Sequence, residues 1–204
     1  MIFDWLQPAE LRPKIIGILQ AMKEGHKQFW LVDEIVPKYH NRFKNEISKH
    51  GFCMGFYFNE CFVWLPEAEV CDFTELPYIF DVELHTICTV TDGMLDIVND
   101  ALRCIRYNKI FNNMTHDHLT PTIIGILLGY PFVYKIGENF TESKNTLNNC
   151  DLAFYKVEYN GICISSFTVP FSLKHLCASW ATSQMEHKSL RVTSTTVNLP
   201  SVCL

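Results

Sequence analysis

The dipeptide Asn160-Gly161 constrains this chain more than any other pair of residues. It stands between two apolar runs, residues 152–158 and 162–169, and both of its positions tolerate the positive φ of a type I′ turn, so the spacing predicts a β-hairpin over 152–169. Pro170 has no N–H to give to a ladder and ends the second strand. A hairpin of this kind must bury one face, and the composition supplies the means. Of 204 residues 48% are hydrophobic and 19% charged, with 15 Phe, 8 Tyr and 4 Trp, which is ample for a packed core and excludes a wholly disordered chain.

The clearest helix follows from Met94, Ile97, Val98, Ala101, Leu102 and Ile105, which share one face while Asp96, Asn99, Asp100, Arg103 and Arg106 take the other. Thr91 or Asp92 is placed to cap it. Leu11, Ile15, Ile18, Leu19 and Met22 predict an amphipathic helix over 9–24, or from Pro13, ending near Gly25. Tyr39, Phe43 and Ile47, four residues apart, predict a short surface helix within 38–50. Thr120-Pro121 predicts a capped start for a two-turn buried helix that ends at Gly129, and residues 171–187 suit a last helix. Strands are predicted at Phe29–Val32, as a pair within 52–65 joined at Asn59-Glu60, within 78–90 where apolar and polar residues alternate, and at 132–136. The fold expected is α+β or α/β, a single domain with a mixed sheet of about five to seven strands, helices packed on it and the hairpin at 152–169. The domain spans 1–188, and the Ser/Thr-rich residues 189–204 read as a loosely ordered tail.

Seventeen Lys and Arg against 22 Asp and Glu leave a net charge of −5 with no basic block, which argues against a dedicated nucleic-acid binder. No run approaches the ~18 apolar residues of a transmembrane helix, because Gly125, Gly129, Tyr130 and Pro131 interrupt the best candidate at 123–133. The first residues lack the basic start and apolar stretch of a secretory signal, so the expected compartment is the cytoplasm, with the nucleus left open. The nine cysteines are odd in number and form no Cys-x-x-Cys, and most stand beside Phe, Ile or Val; they read as reduced thiols acting as small hydrophobes.

The segment from Thr120 to Tyr134, with its Leu127-Leu128-Gly129-Tyr130-Pro131 stretch, together with Phe29-Trp30-Leu31-Val32-Asp33 and Ser166-Phe167-Thr168-Val169-Pro170, resembles an uncharacterised animal family named after an open reading frame on human chromosome 1. The resemblance covers under a fifth of the chain and implies no activity, cofactor or catalytic residue.

Chemistry must then come from the residues. His116-Asp117-His118 is the one dense group of metal-ligand side chains, and in an extended segment residues 116 and 118 face the same way. Asp33 and Asp92 each follow a predicted strand, where carboxylates can hold a cation or act as a general base. The bland alternatives are a solvated loop for the histidines, an N-cap for Asp92 and a turn residue for Asp33. Gly-x-Ser-x-Gly, Gly-x-x-x-x-Gly-Lys and Gly-x-Gly-x-x-Gly are all missing, which argues against a serine-nucleophile elbow and ordinary nucleotide or dinucleotide sites and leaves any cofactor unknown. The expected function is a non-catalytic protein-interaction module with a protein partner, using exposed aromatics such as Tyr39, Phe43, Tyr57 and Trp64. The alternative is a hydrolase with a metal or carboxylate site built from Asp33, Asp92, His116 and His118.

Overall fold

The computed structural model describes residues 3–6, 8–57, 60–67, 77–107, 118–141, 144–186 and 189–199. In chain order the elements are α1 (Leu11–Lys23), β1 (Phe29–Leu31), α2 (His40–Ser48), β2 (Cys53–Tyr57), β3 (Glu60–Trp64), β4 (Tyr78–Asp81), β5 (Thr86–Cys88), α3 (Asp92–Tyr107), α4 (Thr120–Leu127), β6 (Phe132–Lys135), β7 (Asp151–Tyr159), β8 (Ile162–Pro170), α5 (Ala178–Met185) and β9 (Leu190–Asn198). A 3₁₀ turn precedes α2, and residues 171–177 form a second one before α5, so the expected last helix divides in two. The class is α+β.

The strands do not join in one mixed sheet of five to seven. They form three sheets of three, ordered β1-β3-β2, β5-β4-β6 and β8-β7-β9; β4 pairs antiparallel with β5 and parallel with β6. The reason lies in the first sheet, whose strands are apolar on both faces and therefore stack between layers instead of extending sideways. Phe29, Phe62, Trp64 and Tyr57 enter one cluster with Val98, Leu102 and Ile105 of α3 and Ile123 of α4. Trp30, Met54, Cys61 and Val63 enter another with Ile15 and Ile18 of α1 and Phe43 and Ile47 of α2. Gly55 permits the contact with α3, because a Cβ there would collide with the Ile105 carbonyl oxygen.

This arrangement corrects the interaction surface expected from aromatics. Phe43 (0% exposed), Tyr57 (1%) and Trp64 (5%) are core residues, and Tyr39 is half-buried. Tyr39 and Phe43 belong to the thin stripe of a surface helix and Tyr57 and Trp64 to the strand pair within 52–65, but the first sheet is covered on both sides.

The hairpin is as expected. Asn160 and Gly161 have φ of 48° and 80°, and Tyr159 pairs with Ile162 across the turn. β8 ends at Pro170. Thr120 is the first residue of α4 and makes no cap; Leu119 precedes the helix, which has no side-chain cap bond. The loosely ordered tail is also corrected, since residues 190–198 are strand β9, paired with β7 from Asp151↔Asn198 to Tyr159↔Leu190. The Thr residues that make this segment look polar are β-branched and well suited to a strand once a neighbour offers its backbone. Among the described residues no helix is long and apolar enough to cross a membrane. Cys53, Cys61, Cys88, Cys104, Cys150, Cys163 and Cys177 are free thiols, while Cys71 and Cys203 lie outside the described residues.

Candidate functional site

The second strand of the hairpin meets the N-terminal layer at a cleft of about 140 Å³. Helix α1 contributes Lys14, the chain beyond β1 contributes Asp33 and Glu34, the turn after α4 contributes Tyr130, and β8 lays Cys163, Ser165 and Ser166 along one wall. Lys27, in the link between α1 and β1, lines this cleft and also a neighbouring cavity of about 130 Å³ that adds His26 and Trp180.

The electrostatics follow from burial. The Lys27 ammonium donates to the Ile164 carbonyl of β8. Burial pushes its pKa down to about 8, although the charges of Cys163, Glu34 and Asp33 pull the other way. Glu34 is raised, first by burial and then by the adjacent Asp33 carboxyl, against the pull of Lys14. Lys14 is itself raised, because its ion pair with Glu34 and the nearby Asp33 charge outweigh the cost of burial. Glu34 Oε2 is buried without a hydrogen-bond partner. Burial also raises Tyr130, partly offset by its hydrogen bond with Ser165, and the Cys163 thiol lies 3.6 Å from the Ser165 carbonyl oxygen. A small polar cavity with a buried amine, a protonatable acid and hydroxyl groups can bind and polarise a compact ligand.

Of the residues singled out in the sequence, Asp33 lines this cleft. Asp92 is exposed as the first residue of α3, and His118 is half-buried just before α4; neither lines the cleft. His116, like Asp117, lies outside the described residues. Among the described residues no group of three or more His, Cys, Asp or Glu side chains could hold a metal ion. Sequence reasoning passed over Lys27 and Glu34 for a physical reason. Gly25-His26-Lys27-Gln28 has the composition of a solvated link, and no local signal announces that a strand more than a hundred residues away will cover it.

A family model described as a domain of unknown function, DUF4504, matches residues 67–204, which include the β8 wall and Tyr130 but not Lys14, Lys27, Asp33 or Glu34. No curated protein and no solved structure matches the chain.

Proposed function

Because the chain belongs to the DUF4504 family, whose description carries no activity, we propose from its geometry that it is a protein-interaction module in which the outer edge of β9 pairs with an extended segment of a protein partner. The resemblance to the animal family named after a chromosome 1 open reading frame, and a cytoplasmic meeting place, belong to the same reading. One observation carries it. β9 is nine residues long and, among the described residues, pairs with β7 on one side only.

An edge of that length invites another strand, and proteins usually blunt such edges with Lys, Pro or a bulge. β9 contains neither Lys nor Pro, and its register against β7 runs unbroken, whereas β7 and β8 shift register at Val157/Glu158. Arg191 is its only charge, and Ser194, Thr195 and Thr196 are exposed. Backbone pairing would supply affinity, and alternate side chains would supply selectivity.

Displayed peptides of about ten residues panned on the full chain provide the test. The expected binders slow amide exchange within 190–198 and are lost in Thr195→Lys. Protection confined to other elements, or undiminished affinity in that variant, removes the reading.

The hydrolase alternative retains one favourable observation, the place of Asp33 in the cleft. It also needs Asp92, His116 and His118. Elemental analysis of untagged protein decides it, since a stoichiometric divalent ion that disappears in His116→Ala or His118→Ala would overturn the binding reading.

A further inference from the structure

We propose that Lys27 and Glu34 make the cleft a carbonyl-binding site, in which the Lys27 amine condenses with a small aldehyde or ketone and Glu34 provides the proton that lets the carbonyl oxygen leave as water. The inference is independent of the β9 edge. It begins with placement: Lys27 and Glu34 line one cleft of about 140 Å³, and Lys27 also borders the second cavity of about 130 Å³. A bulk water occupies about 30 Å³. The cleft therefore suits a ligand of two or three carbons, with room to extend past Lys27.

Lys27 bonds a single acceptor, the Ile164 carbonyl. One N–H satisfies that acceptor, so an unprotonated amine keeps its lone pair for the cavity. The charges that weigh most on it come from the elements around the cleft, Cys163 of β8, Glu34 and Asp33 beyond β1 and Lys14 of α1, and His26 lies beside it in the link. Burial is the largest influence and favours the neutral amine, the nucleophilic form. Glu34 has the complementary disposition. Burial and Asp33 favour its protonated form and outweigh the ion pair that Lys14 makes with its Oε1, while its Oε2 is buried without a hydrogen-bond partner. An acid and an amine whose environments move their titrations toward each other are the pair that imine formation requires.

The chemistry balances without an oxidant or metal. The nitrogen lone pair forms the N–C bond, the carbonyl π pair moves to oxygen, and a proton passes from nitrogen to that oxygen, giving a carbinolamine. The Glu34 carboxyl then protonates the hydroxyl, the C–O bond breaks to release water, and the remaining nitrogen lone pair forms C=N. The products are an iminium on Lys27, water and a Glu34 carboxylate that offsets the new positive charge.

Pyruvate with sodium cyanoborohydride is the probe, used on the full chain near neutral pH, with the modified lysines mapped by peptide mass spectrometry. Reduction fixes any imine as a secondary amine. Lys27 is expected to be modified about tenfold faster than the mean of the other lysines, because more of its amine is unprotonated. Modification no faster than that mean overturns the proposal, and this comparison needs no variant. Glu34→Gln is expected to slow Lys27 modification about tenfold, with the other lysines unchanged. An unchanged Lys27 rate in a folded Glu34→Gln protein removes Glu34 from the mechanism and overturns the paired site.

Discussion

The two outer edges of the β8-β7-β9 sheet are treated in opposite ways. On β8, backbone carbonyls are taken by side chains from distant parts of the chain: the Lys27 ammonium bonds Ile164, and the Tyr134 hydroxyl bonds Thr168 at 3.0 Å. On β9, Ser194, Thr195 and Thr196 are exposed, and no strand of the described residues pairs with the outer edge. The difference teaches that an edge is closed by tertiary contacts and not by its own sequence. β8 contains no Lys either, and its Pro stands only at its last position. What protects it is the layer that packs against it.

The comparison breaks most severely if the sheet loses its packed face. Phe167 of β8 is buried and stacks on Tyr155 at 5.2 Å, with Trp180 edge-on at 5.1 Å. Phe167→Ala is expected to cost about 3–5 kcal/mol in urea denaturation. A loss well below this range would mean that β8 is held by its edge contacts instead of by its face.

The turn joining β7 to β8 comes next. Gly161 has φ of 80°, a region that β-branched residues strongly avoid. Gly161→Val is therefore expected to destabilise the domain by roughly 1–3 kcal/mol. An unchanged melting temperature would show that the strands pair without this turn.

Lys27 sharpens the comparison through pH. Its pKa is about 8 in the folded chain against an ordinary 10.5, so between these values the unfolded chain binds more protons than the folded one. Stability from this group therefore rises with pH across that window, by up to about 1.4 kcal/mol per pH unit. Comparing native protein with Lys27→Met by urea denaturation at several pH values should show the native chain gaining on the variant as pH rises. A constant difference would mean that the amine is not buried at the β8 edge.

The smallest effect is expected at the open edge. Thr195 is exposed, so Thr195→Lys should alter stability by less than about 0.5 kcal/mol while blocking strand addition. A large destabilisation would show that the outer side of β9 is already occupied within the protein.

Local signals were reliable where a few neighbouring residues decide the conformation. The Asn160-Gly161 turn, the amphipathic face of α3 and the apolar run of α4 all read correctly. Signals failed where burial depends on a remote partner. Phe43, Tyr57 and Trp64 read as surface aromatics in the sequence because their covering layers come from elsewhere in the chain. β9 reads as a tail in the sequence because its polar side chains hide the backbone pairing with β7. Asp92, placed by sequence at the same kind of strand end as Asp33, stands outside the cleft.

By itself, then, the sequence determined the turn, the helical faces and the strand-forming runs, since φ preferences and side-chain periodicity act over a few residues. The tertiary structure alone decided that the strands divide into three sheets, that the outer edge of β8 is met by distant side chains while no strand among the described residues pairs with the outer edge of β9, and that Lys27 loses its water beside Glu34. Burial and strand partnership depend on which distant segments meet, and desolvation changes the chemistry of a lysine only after they have met.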